Sequence, residues 1–529
     1  QYLQDCYDDR QDQLQRLNNN KKHSTPSPPN KGEGEGEEDQ PVYTPTSITV
    51  ENLKQWSDEF NEGEDSVKNR ISLQALSQIG CISSMVKKLN NLNDGNLTDD
   101  VWTTEVETFK APSYTATNNR GASWLYTALS LLDHQYVVKF DIKSAGRSSS
   151  QLSYKYLLFY DKLERSNHLL SKMIETSDFD LNSRVIQHLL NHNAGHWDML
   201  INLITKYGLA PSTRYPDLSS GVMVEQLDYL LTIKLKEFSL SLRSLVKDEK
   251  MSFEKLNQVK DSQLKQIFDI LCLVLGGVPP RPRAVESSDE DDKAKKEDDV
   301  SFVWQYKDQG NESHRMTLQS PLEFLKLIDY ETHATKCITL SNDPRNKYEK
   351  LYTIDKWNNM VQGQVEHLQL LNVEIEIIKK VILGNLKEQL PVFATVDNAD
   401  VRYKTGTATD QSNLVILDDS QTYDHSTVFN VELCLSKEET LRLQAGCGTC
   451  SIQKAMIITG VNVNEGIIEK FKLQDLNSGF KYIATEQWVN QHLYQIVSNE
   501  KFVPKYLLEI WSKRDFTVLP VYDPMGSWV

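Results

Sequence analysis

The chain has 529 residues, of which 39% are hydrophobic and 9% aromatic, enough apolar surface for a large core, so whole-chain disorder is excluded. Lys and Arg number 58 against 74 Asp and Glu, a net charge of −16; this argues against an extended phosphate-binding surface, whose affinity comes from cations releasing counterions. The 7 cysteines are too few and too scattered for a disulfide scaffold and favour a reducing compartment, and the longest apolar run, 270–278, is far short of the ~20 residues that span a bilayer, so no membrane partner is expected.

Residues 1–45 read as a low-complexity tail, with Asn18-Asn-Asn20, Pro26-Ser-Pro-Pro29 and a Gly/Glu alternation ending at Asp39. Nothing there repays the entropy of ordering, apart from a short helix over 4–17 carried by Leu14 and Leu17. The first residue is Gln1, as removal of a mitochondrial presequence would leave it. The expected location is intracellular and cytoplasmic, with mitochondrial as the alternative. Residues 47–58 and 66–93 carry mixed helical patterning. From 123 onward the period is helical: Trp124, Leu125, Ala128, Leu131 and Leu132 recur at helix spacing. The same pattern predicts helices over 153–175, 182–207, 223–247 and 253–276.

Composition then shifts. Pro279-Pro-Arg-Pro-Arg283 leads into an acidic stretch, 286–299, where Ser287 and Ser288 sit among carboxylates as candidate phosphorylation sites. It reads as an exposed insertion. Beyond it, strands are predicted at 391–396, 427–435 and 455–461, which are β-branched, apolar and bounded by turn residues. Helices first and strands later indicate an α+β fold. No glycine-rich phosphate loop and no H-E-x-x-H motif occurs. Cys447-Gly-Thr-Cys450 lacks a second Cys or His pair at metal-ligand spacing, so no metal or cofactor is expected.

Several ordered segments carry a more specific signal. They are the run from Leu152 to Arg165, Gly195-His-Trp-Asp-Met199, Ser301-Phe-Val-Trp-Gln-Tyr-Lys-Asp308, Asn342-Asp-Pro-Arg345, Lys350-Leu-Tyr-Thr353, Tyr423-Asp-His425 and Leu519-Pro-Val-Tyr-Asp-Pro-Met-Gly526. From about residue 100 to the end, the chain resembles the bleomycin hydrolases, which are papain-like cysteine aminopeptidases. The resemblance implies a papain-like core. Its helical half falls in 46–210, a helical hook with the acidic loop 286–299 in 211–384, and the β half with the carboxyl tail in 385–529.

The family's chemistry needs a thiolate at a helix N-terminus, a His to pair with it, an Asn to orient the His, and a Gln at the oxyanion. Carried over residue by residue, the nucleophile motif falls on Thr117-Asn-Asn-Arg-Gly-Ala-Ser-Trp124. Trp124 anchors it, Ser123 takes the cysteine position and Asn119 the oxyanion position. The His position in Gln453-Lys-Ala-Met456 is Lys454. The Asn position in Leu473-Gln-Asp-Leu-Asn-Ser-Gly479 is Asp475. Gly195 keeps one glycine of the substrate-binding pair, and Ala194 replaces the other. Serine is a weak nucleophile unless a base takes its proton, and a protonated lysine is no base. An Asp475–Lys454 ion pair filling a dead site is the simplest reading, and a Ser123/Lys454 dyad the sharper alternative.

The resemblance also implies a hexameric barrel, with the carboxyl tail lying in the cleft. Here Trp528 near that end is either a plug of the cleft or an exposed terminal side chain. Three functions follow as expectations. The first is an inactive structural subunit that binds protein partners within a larger complex. The second is an aminopeptidase using Ser123. The third is a peptide- or nucleic-acid-binding homo-oligomeric barrel, with nucleic acid disfavoured by the net charge.

Overall fold

The computed structural model describes residues 45–80, 82, 85, 102–110, 122–143, 150–176, 183–190, 194–216, 221–247, 251–282, 301–397, 414–417, 425–431, 435–447, 453–476 and 479–527. The tail helix over 4–17, the acidic loop 286–299, Asn119, Cys450 and Trp528 lie outside them. The described residues fall into two compact units, the first ending at Ser66 and the second running from Val67.

The first unit holds helix α1 (Val50–Glu62), opened by a capping box in which the Thr49 hydroxyl accepts from Asn52 N at 3.1 Å. Helix α2 (Ser66–Ile79) begins at the unit boundary. In the second unit a two-residue strand, β1 (Thr104–Glu105), precedes α3 (Ser123–Lys139). The helical layer continues with α4 (Tyr154–Glu175), α5 (Ser183–Leu189), α6 (Trp197–Tyr207), α7 (Gly221–Lys247) and α8 (Phe253–Leu275).

Helix α4 is buried on nearly every side, which its charged residues tolerate because each has a partner. Asp161 takes Arg165 Nε at 2.8 Å, Lys162 reaches Asp228 of α7 at 2.7 Å, and Glu164 takes Lys206 of α6 at 2.5 Å. Ser153 caps the helix, its hydroxyl accepting from Tyr156 N at 3.2 Å. Helix α6 stops at Gly208, whose φ of +72° is left-handed; a Cβ there would also meet the Pro321 backbone at 2.4 Å, so only glycine fits.

A hairpin of β2 (Phe302–Lys307) and β3 (Ser313–Leu318) follows, then the short α9 (Pro321–Leu325). The remaining strands are β4 (Cys337–Ser341), β5 (Lys350–Ile354), β6 (Leu370–Asn372), β7 (Val392–Asp397), β8 (Leu414–Leu417), β9 (Gln453–Asn464), β10 (Ile467–Gln474), β11 (Lys481–Thr485), β12 (Leu493–Asn499) and β13 (Phe516–Leu519). Together with β1, which pairs with β9, they form one eleven-stranded sheet in the order β13-β5-β6-β4-β12-β7-β9-β10-β11-β8. Between the strands lie α10 (Ile375–Lys387), α11 (His425–Phe429), α12 (Lys437–Cys447), α13 (Glu486–His492) and α14 (Lys505–Lys513). Two apolar clusters fill the interior, one mainly among the helices and one between the sheet and α10. The architecture is α+β.

Several expectations needed correction. The helix expected over 182–207 is two helices, because His196 is extended and caps α6, its Nδ1 accepting from Asp198 N at 3.2 Å. The strand expected over 427–435 is not formed at its start: His425–Phe429 is helical and ends at Asn430 with φ +54°. The β-branched composition of Thr427-Val428 does not decide the local structure there. Strands β4, β5 and β6 come from the 211–384 stretch and lie in the same sheet as β7 and β9, so the sheet is not confined to 385–529.

Candidate functional site

Ser123 is the first residue of α3, behind Ala122, which has an extended-type φ of −153° and gives no side-chain cap. The orphan N–H groups of that first turn make it a local positive end. Ser123 is half-buried, and among the described residues its hydroxyl forms no hydrogen bond. Helix α3 packs on β7 and β9. The expected cysteine position is thus a serine on the helix that lies against the strand bearing Lys454.

Lys454 pairs across the ladder with Val396 of β7. Its Nζ forms an ion pair with Asp475 Oδ2, the carboxylate being fully buried and the lysine side chain 12% exposed. Asp475 stands at the end of β10, held by a tight turn in which its N donates to Phe480 O at 2.9 Å and its O accepts from Gly479 N at 2.9 Å. The Lys454 ammonium also lies 5.9 Å from the Tyr482 ring centroid, within cation–π range. An ammonium held this way has no lone pair to accept a hydroxyl proton.

The residue after Ser123 belongs to a close-packed floor. The Trp124 indole lies flush on Gly195: a Cβ at that position would be 1.9 Å from indole Cε2. Arg165 stacks over Trp124 at 5.7 Å and over Trp357 at 5.6 Å, while Asp161 holds its Nε and Asn359 Nδ2 donates to Asp161 Oδ1 at 3.1 Å. Ala194 is buried next to Gly195. The structure therefore brings together Trp124 with Gly195, and Lys454 with Asp475. Asn119 and Trp528 fall outside the described residues.

A second polar cluster was not foreseen. Lys437 at the start of α12 is buried, with Nζ donating to Asn342 Oδ1 and to Leu493 O, each at 2.6 Å, and lying 5.1 Å from the Tyr494 ring centroid. Burial pushes its pKa down to about 7, opposed by the charge of Asp343. Tyr494 Oη donates to Asp397 Oδ2 at 3.2 Å, at the end of β7 beside the strand of Lys454. Nearby, Arg345 bridges Asp343 at 2.6 Å and Asp523 at 2.9 Å, tying the C-terminal segment to the loop after β4. In sequence Lys437 is one more charge in Ser436-Lys-Glu-Glu439, and nothing local marks it as buried.

A helix packed on the antiparallel centre of a mixed sheet, with the site residues on that helix, on one strand and at the end of another, defines a papain-like peptidase fold. The chain matches the Peptidase C1-like family over residues 47–526 and belongs to it. Bleomycin hydrolase of Mus musculus is 28% identical over 429 residues, covering 77% of this chain and 84% of that one. Cysteine proteinase 1, mitochondrial, of Saccharomyces cerevisiae is 26% identical over 496 residues, covering 91% and 93%. The crystal structure of PepW from Lactobacillus rhamnosis HN001 superposes with a TM-score of 0.74 at 25% identity, covering 91% of this chain and 99% of that one. The chain is a bleomycin-hydrolase-like member of the papain fold.

Proposed function

We propose that this chain is a catalytically silent member of its family, retained as a structural or partner-binding subunit. The observation that carries the reading is the Lys454–Asp475 ion pair at the positions where the family's imidazole and its orienting amide are expected. A nucleophilic mechanism needs a base to receive the hydroxyl proton and an acid to return it to the leaving amine. An ammonium committed to a buried carboxylate does neither, and among the described residues Ser123 makes no hydrogen bond to any base that could activate it. The retained parts, Trp124 on Gly195 and the Arg165 stack, are those a fold needs for packing.

The test is turnover of fluorogenic aminoacyl substrates by the full chain and by Ser123→Ala. Equal background rates are expected. Activity in the parent that disappears in Ser123→Ala would overturn the proposal in favour of a serine-dependent aminopeptidase. Ser123→Cys alone is expected to stay inactive, since no imidazole is there to form the ion pair with the thiolate.

A further inference from the structure

We propose that the tip of the β2–β3 hairpin is a divalent transition-metal site built from Asp308, Glu312 and His314. The register of the hairpin brings them together: Tyr306 pairs with His314 and Lys307 with Ser313, and Asp308 N donates to Glu312 O at 3.1 Å across the closing turn. Side chains alternate along a strand, so Trp304, Tyr306, Asp308, Glu312 and His314 share one face. That face runs from the buried Trp304 and Tyr306 out to an exposed tip. The candidate ligand atoms of the three residues lie within 4.8 Å of one another.

Two of the three are already set. The His314 ring stacks on Tyr306 with centroids 4.8 Å apart and planes 17° from parallel, which fixes its direction. Its Nε2 lies 2.8 Å from Asp308 Oδ2, close to the roughly 3 Å edge between neighbouring ligands on an ion with bonds of about 2.1 Å. The other carboxylate oxygen, Asp308 Oδ1, accepts from Glu312 N at 2.9 Å. Glu312 is exposed and forms no ion pair among the described residues, so its carboxylate swings in without breaking one. The nearby ammonium, Lys143 Nζ, donates to Asn311 Oδ1 at 2.5 Å. The hairpin base is anchored, Lys143 N donating to Lys307 O at 2.8 Å and Gln309 N to Asp141 O at 3.0 Å.

One imidazole and two carboxylates balance a dipositive ion and favour Zn²⁺, Ni²⁺ or Cu²⁺ over Mg²⁺ or Ca²⁺, which prefer all-oxygen sets. The ion takes the place of the hydrogen bond between His314 and Asp308. Three protein ligands leave coordination positions open to water.

The experiment titrates the full chain with Zn²⁺ against a chromophoric chelator, with Mg²⁺ as the hard-cation control. One equivalent is expected to bind, at least tenfold more weakly in His314→Ala and in Asp308→Asn, and severalfold more weakly in the exposed Glu312→Gln, with Mg²⁺ not competing. Circular dichroism of each variant separates a lost site from a lost fold, and Glu312→Gln carries the test if the other two misfold. Zn²⁺ stoichiometry and affinity unchanged in the folded variants would overturn the proposal, as would equal displacement by Mg²⁺.

Discussion

Ser123 and Trp124 are consecutive residues on one helix, yet they belong to regions held by different forces. Trp124 is buried, flush on the Gly195 backbone and covered by Arg165. Ser123 is half-buried and uncommitted, and the strand beneath its helix carries an ammonium bound to a carboxylate. The floor is fixed by shape: a close-packed aromatic against a glycine admits no other side chain without rearrangement. The edge where chemistry would occur is constrained only by charge balance, which an Asp–Lys pair meets as well as an imidazole–amide pair does. On the proposed reading, the chain keeps the features that packing demands and varies where packing is indifferent.

The sharpest way to break this comparison is to attack the floor. Trp124→Ala removes a fully buried indole and is expected to cost about 3–5 kcal/mol. Gly195→Ala places a Cβ 1.9 Å from the indole and is expected to cost about 3 kcal/mol, the upper end for overpacking. Urea denaturation midpoints check both. A shift below about 1 kcal/mol in either would show that the floor yields and that its retention has another cause.

The ion pair comes next. Asp475→Ala strands a nearly buried ammonium and should cost about 3 kcal/mol, whereas Lys454→Met combined with Asp475→Leu should lie within about 1 kcal/mol of the parent, because it removes both desolvation costs. A double variant as unstable as the single one would mean that the pair does more than balance charge.

Lys437 gives a contrast with Lys454 that pH can read. It is bound to two neutral oxygens and its pKa in the fold is lowered to about 7, against about 10.4 in the unfolded chain. Between those values the unfolded chain binds the extra proton, so stability rises with pH through that window, on the order of 1 kcal/mol per unit. Below about pH 7 both states are protonated and the penalty is constant. Lys437→Met removes the dependence, so its advantage over the parent should be full below about pH 7 and nearly gone by pH 10. Parallel stability curves for the two proteins would refute this.

The sequence carried more of this structure through spacing than through composition. Helices α4, α7 and α8 were legible because their apolar residues recur at helical period over more than five turns. The Lys454–Asp475 pair was legible only through aligned motifs, since the two residues lie on different strands and no local pattern joins them. Lys437 was invisible because its burial is decided by Asn342, Leu493 and Tyr494, which are distant in sequence. The helix at His425–Phe429 was misread because Thr427, Val428 and Phe429 favour strands in general, and such preferences yield to context. Strands β4 to β6 were missed because they are only 5, 5 and 3 residues long, too brief for an alternation to stand out.

The smallest expected effect is the most informative about function. Ser123→Ala removes a hydroxyl that makes no hydrogen bond among the described residues. It stands at the first helical position, where alanine is well tolerated and where the serine hydroxyl supplies no cap. Stability should therefore change by less than about 0.5 kcal/mol. In a working serine hydrolase the same change would erase turnover while leaving the fold intact, and in a silent site it changes neither. A hydroxyl poised for catalysis would also react with a fluorophosphonate probe, whereas an unactivated one does not. Labelling of the parent that is absent in Ser123→Ala would place a base near Ser123. The contrast between a close-packed floor and an uncommitted Ser123 would then fail.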